Sequence, residues 1–194
     1  EAGIGFLFAQ GLHSAMKHAA GPRREIGIRT IFNMLGPLTN PAGATAQLLG
    51  VFDARLTEMF AGVLRNLGTR HAFVVYGSDG LDEATVTGKT RVTELQDGLL
   101  RTFDIDAPEI FGDRYDLDSL RGSDAARNAE ITQSVLMGDG VPAARNVVLL
   151  NAALAIMAGD KAATLQEGLE RAKESIDSGA ALQKLRRLVE VSKS

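Results

Sequence analysis

The chain has 194 residues, 45% hydrophobic and 23% charged, enough for one well-filled globular domain and too apolar for a disordered one. A net charge of −3 with both signs interspersed argues against nucleic acid as a partner, since its binders carry a strong basic bias. The absence of cysteine removes disulfides, thiolate metal sites and a thiol nucleophile, and no apolar run reaches the roughly 20 residues of a membrane-spanning helix. A cytoplasmic location and no membrane partner are the corresponding expectations.

In chain order, Gly3–Ala9 starts abruptly after Glu1, as expected of a piece of a longer polypeptide. Ile4–Ala20 is predicted to be a buried helix that presents His13, Lys17 and His18 near its end, before Gly21-Pro22 stops or kinks it. Arg23–Pro41 (RREIGIRTIFNMLGPLTNP) mixes three arginines with apolar residues and two prolines. A helix through Thr30–Leu35 should stop at Gly36 and turn. Gln47–Phe52 reads as a strand, Arg55–Leu67 as an amphipathic helix closed by Gly68, and Ala72–Tyr76 as a strand buried on both faces. Strand, helix, strand in that order implies a parallel pair, and so an α/β fold with a parallel-rich central sheet flanked by helices.

A β-hairpin turning at Asp97-Gly98 is expected within 91–104, followed by a polar connection over Pro108–Asp118. Ser123 or Asp124 should cap a helix running to Met137. Ala143–Ala158 is apolar nearly all round and belongs in the core. Thr164-Leu-Gln-Glu167 is a capping box that opens a helix through Asp177, and Gly179 separates it from a last amphipathic helix over Leu182, Leu185, Leu188 and Val189. There is no internal repeat or linker, so residues 1–194 read as a single unit.

Two stretches carry chemistry. Gly77-Ser-Asp-Gly-Leu-Asp-Glu83 follows the C-terminal end of a buried strand, where open α/β sheets place their ligands. Asp79, Asp82 and Glu83 form a cluster of like charges that a cation would relieve; oxygen-only donors favour Mg2+ or Mn2+ over zinc. The other reading is a solvated acidic loop. Arg23, Arg24 and Arg29 suit a carboxylate or phosphate, or else surface ion pairs with neighbours such as Glu25. His13 and His18 are acid–base candidates or packed helix residues, and His71 looks structural. Thr87-Gly-Lys-Thr90 resembles the tail of a P-loop but lacks the upstream glycines and a following helix, which excludes triphosphate binding there.

The sequence resembles the anthranilate phosphoribosyltransferase family over its whole length. The resemblance is carried by His13–His18 (HSAMKH), Arg23–Pro41, Gln47–Asp53 (QLLGVFD), Gly77–Glu83, Asn151-Ala-Ala153 and Asp177-Ser-Gly179. It implies the C-terminal portion of a phosphoribosyltransferase α/β domain, with a fold like that of the nucleoside phosphorylases. It also implies transfer of phosphoribose from phosphoribosyl pyrophosphate to the amino group of anthranilate, with Mg2+ bound, in a homodimer when intact. The family's anthranilate-carboxylate arginine falls on Arg23, in the spacing that begins at Lys17-His18, and its metal-binding acidic pair falls on Asp82 and Glu83. Ser14 and Tyr76 stand where the family often has Pro and His. The family's glycine-rich loop and N-terminal helical subdomain have no counterpart here, so these residues alone are expected to keep a half-site with little catalysis. The alternatives are a pyrimidine nucleoside phosphorylase, or a non-catalytic relative that binds a ligand or a nucleic acid.

Overall fold

The computed structural model describes residues 1–7, 36 and 38–193. The sheet begins with β1 (Ala46–Gly50), and α1 (Leu56–Asn66) carries the chain over one face to β2 (His71–Gly77), which pairs with β1 in parallel. β3 (Lys89–Gln96) and β4 (Leu99–Asp106) extend the same sheet antiparallel, in the order β1-β2-β3-β4. The α/β class, the flanking helices and the hairpin agree with expectation. The parallel-rich arrangement is met at one pair: among the described residues the sheet is mixed, because β3 and β4 form a hairpin laid beside β2. Asp97 (φ 48°) and Gly98 (φ 82°) both adopt positive φ, as a two-residue type I′ turn requires.

β2 is buried on both faces because its alternate side chains enter different cores. Phe73 and Val75 pack with Leu150 and Leu154 of a helix on one side, while Ala72 and Val74 pack with Phe60, Ala61 and Leu64 of α1 on the other. Each of the large side chains there contributes about 1.5–3 kcal/mol by leaving water. The helix bearing Leu150 and Leu154 spans Pro142–Ala158 and is the core helix expected from its composition.

The chain between β4 and that helix departs from the polar connection expected over Pro108–Asp118. It holds a short helix α2 (Ala107–Phe111) and a 3-10 turn at Leu117–Leu120, because Ile110, Phe111 and Leu120 cover the Phe73 core and Asp116 accepts a hydrogen bond from the Ser119 amide. α3 (Ala125–Met137) is capped by Asp124, whose carboxylate accepts from the Arg127 amide, and closes on Gly138 (φ 89°). α4 is the core helix Pro142–Ala158, and α5 (Leu165–Asp177) opens at Thr164, whose hydroxyl accepts from the Glu167 amide. The return half of the box is shifted: Glu167 accepts from the Ala163 amide. Asp177 is tied back to Arg145 of α4 at 2.5 Å. α6 (Ala180–Val191) is the last helix among the described residues and buries none of its own. Its Leu182 and Leu185, half-buried, and Val189, exposed, line an open groove of about 590 Å3 with Ala129 and Met137 of α3.

His71, expected to be structural, is the first residue of β2. It is buried, with Nε2 3.3 Å from Glu94 and Nδ1 3.2 Å from Asp160. Among the described residues no single helix is long and apolar enough to cross a membrane.

Candidate metal centre

β2 ends at Gly77 and β3 begins at Lys89, so the chain between them must reverse without a helix to support it. It does so on its own hydrogen bonds. Gly80 (φ 92°) donates to the Gly77 carbonyl, Gly77 donates to Leu81, and the Ser78 amide donates to Lys89. Asp79 turns inward: Oδ1 accepts from the Leu81 amide at 3.1 Å, and Oδ2 accepts from the hydroxyls of Thr85 (2.5 Å) and Thr87 (2.7 Å). Thr90 accepts from the Thr85 amide at 2.9 Å. Thr87 therefore belongs to this loop and Thr90 already lies in β3, so a strand follows where a P-loop would have a helix.

The three acids of the loop thus have different roles. Asp79 spends its oxygens on the turn, whereas Asp82 and Glu83 are exposed and have no hydrogen-bond or ion-pair partner among the described residues. Glu83 nonetheless borders a largely apolar cavity of about 240 Å3 lined by Leu120, Ile131, Val135 and Val147. Burial there pushes its carboxyl above the usual glutamate range, and repulsion from Asp82 and then Asp79 adds to the shift. A cation beside the pair would reverse all three effects. Asp53, the acid of the neighbouring QLLGVFD stretch, is not available in this way. Its carboxylate accepts from the Arg55 side chain and amide, which hold it down to about 2.

The pair is held from two sides. At the end of β1, Gly50 leaves room for the backbone of Asp82; a Cβ on Gly50 would lie 1.6 Å from the Asp82 carbonyl oxygen. On the other side, the Asn151 amide of α4 pairs with the backbone of Ala84. Sequence reasoning gave neither residue a role, although both lie in stretches that carry the resemblance. The available signal was an amide set between the apolar runs Val147–Leu150 and Ala152–Ala155, since an amide drawn toward a core has to find partners.

Among the described residues no three carboxylate or imidazole side chains converge to hold a metal by themselves. Asp82 and Glu83 still fit a magnesium-type ion, which takes one or two carboxylates and completes its shell with water and phosphate oxygens. Arg23, Arg24, Arg29, His13 and His18 lie outside the described residues. Of the arginine-rich stretch, Gly36 and Leu38 are helical, and the chain turns at Asn40–Gly43, later than the expected stop at Gly36, because the Thr39 amide and hydroxyl return to the Gly36 carbonyl. Leu38 packs against the Leu49–Phe60 core, which joins this stretch to the end of β1.

Residues 1–182 match the family described as "Glycosyl transferase family, a/b domain". The chain belongs to this family. Within it, the chain is 55% identical over 189 residues to an anthranilate phosphoribosyltransferase of Moorella thermoacetica, covering 97% of this chain and 56% of that protein. Its fold is similar to the crystal structure of anthranilate phosphoribosyltransferase from Thermus thermophilus, with a TM-score of 0.91 and 38% identity over 100% of this chain and 57% of that one. It is also similar to the Saccharomyces cerevisiae anthranilate phosphoribosyltransferase in complex with PRPP and Mg (TM-score 0.83, 32% identity, 94% of this chain and 53% of that one). The chain therefore spans somewhat more than half the length of these family members.

Proposed function

We propose that these residues are the C-terminal portion of an anthranilate phosphoribosyltransferase, in which Asp82 and Glu83 hold Mg2+ against the diphosphate of phosphoribosyl pyrophosphate. One observation carries the reading. The two acids that the family resemblance points to are the two in the loop without partners among the described residues, while Asp79 between the same glycines is fully engaged. The similarity to a relative solved with PRPP and Mg supports the same chemistry.

In the proposed reaction the bond from C1′ to the diphosphate oxygen breaks, a bond from C1′ to the anthranilate nitrogen forms, and the amine gives up a proton. Mg2+ would neutralise charge growing on the departing diphosphate. The part of this chain is to present two carboxylates at the C-terminal end of β2 on a loop that does not have to reorganise. Arg23 is proposed to grip the anthranilate carboxylate with its planar fork, which orients a neutral amine that needs positioning more than a strong base. A cytoplasmic homodimer belongs to the same proposal.

The test is a steady-state assay on a polypeptide that carries these residues at the full length of its relatives. Anthranilate should be consumed only with both phosphoribosyl pyrophosphate and Mg2+ present. Arg23→Ala should raise KM for anthranilate about tenfold, as expected for losing a hydrogen-bonded charge pair of at least 1.4 kcal/mol, with little change for phosphoribosyl pyrophosphate. Phosphorolysis of a pyrimidine nucleoside in its place would identify the phosphorylase alternative.

A further inference from the structure

We propose that Asn151 is the positioning residue for the acidic pair, a clamp on the core helix that sets where Asp82 and Glu83 stand. The inference rests on the metal reading above and adds a residue to it.

The contact is specific in both directions. Asn151 Oδ1 accepts from the Ala84 amide at 2.9 Å, while Nδ2 donates to the Ala84 carbonyl at 2.8 Å and to the Val147 carbonyl at 2.9 Å. Both amide protons are used and the oxygen has its donor, so exchanging oxygen and nitrogen would set two like groups against each other on every contact. Ala84 is fully buried and directly follows Glu83. The clamp is stiff because its helix is: Leu150 and Leu154, on either side of Asn151 in the sequence, are 0% and 1% exposed. On the other side of the pair, the Asp82 carbonyl is seated against Gly50 of β1. Two consecutive carboxylates are thus fixed between a strand end and a core helix by their backbone alone, and their side chains stay free for a ligand. A bond made only for stability could join α4 to any part of the loop. This one grips the backbone of the residue directly after the proposed metal ligand Glu83, one peptide unit from it.

The test uses a polypeptide that carries these residues at the full length of its relatives, with Mn2+ and inorganic pyrophosphate as the probe. In this unaltered chain, bound Mn2+ should broaden the NMR signals of the Ala84 amide and the Asn151 side-chain amide; no broadening at either overturns the proposal. Asn151→Leu keeps the volume and helix propensity but removes the clamp. It should lower Mn2+ affinity about tenfold, the scale of losing an outer partner of a ligand, and speed hydrogen exchange at Ala84 while Leu150 and Leu154 stay protected. Adding Asp82→Asn with Glu83→Gln to that variant should cost much less than it does in the unaltered chain, because the two changes disable one site. Full additivity, or unchanged affinity in Asn151→Leu when Asp82→Asn with Glu83→Gln does lower it, overturns the clamp and leaves the metal reading standing. If Asp82→Asn with Glu83→Gln changes nothing in the unaltered chain, the metal reading falls, and the clamp falls with it.

Discussion

Gly50 has no side chain where none would fit, and a methyl there would lie 1.6 Å from the Asp82 carbonyl oxygen. The obstacle is backbone and not a flexible side-chain tip, so Gly50→Ala has to push the acidic loop away from β1. The expected cost is about 1–3 kcal/mol, as for other overpacked sites, read as a lower urea midpoint together with weaker Mn2+ binding. Stability lost with Mn2+ binding intact would show that the loop can move without disturbing its acids. Glu83 supplies a second test at this scale. Its carboxyl is raised in the fold, first by burial, so the folded chain holds that proton more tightly than the unfolded one. The stabilisation is complete below the ordinary glutamate value and is lost as pH rises through the raised one. Urea midpoints of the unaltered chain should therefore fall relative to Glu83→Gln across that window. Curves that stay parallel would mean that the carboxyl is not perturbed.

At the scale of elements, stability rests on local bonds that were legible and on distant ones that were not. The Asp97-Gly98 turn, the Asp124 cap and the Thr164 box each follow from residues a few positions apart. Thr164→Ala should cost about 1 kcal/mol by stranding the Glu167 amide, measured by thermal or urea unfolding; no loss would mean that the Glu167 contact to the Ala163 amide holds the helix start unaided. The short helix α2 escaped the sequence because its reason is tertiary: Phe111 and Ile110 turn inward onto the Phe73 core in a stretch that otherwise looks polar. The same division holds at the site. The position of Asp82 and Glu83 after a buried strand was visible in the residue pattern. That Asp79 belongs to the turn depends on Thr85 and Thr87 folding back onto it, and that Asn151 reaches Ala84 depends on where α4 docks. Neither depends on a spacing that a sequence displays.

For the whole molecule, the described residues make a four-stranded sheet with α1 on one face and α4 on the other, and the acidic loop sits at the seam between the end of the parallel pair and α4. Relatives extend well beyond this span, which covers 56% of the Moorella thermoacetica protein. On the proposed function, the glycine-rich loop that would receive the diphosphate lies in that remainder. The 194-residue chain should consequently make phosphoribosyl anthranilate at least 100-fold more slowly than a polypeptide of full family length, a deficit of about 2.7 kcal/mol or more in transition-state stabilisation. Comparable turnover by the short chain would place the whole reaction within these residues.

Asn151 and Ala84 are 67 positions apart in the chain, whereas the hairpin closes between Gln96 and Leu99. Contacts between near neighbours form quickly, and distant ones wait for a costly closure. On the proposed clamp, the strands can pair and the loop can close its own turn during synthesis before the residue that fixes the acidic pair against the core helix has left the ribosome. On that proposal the two acids would acquire their final position only once α4 has emerged and docked. The order of translation thus makes the scaffold before the site, and an early-stalled chain would carry the residues of the site without its geometry.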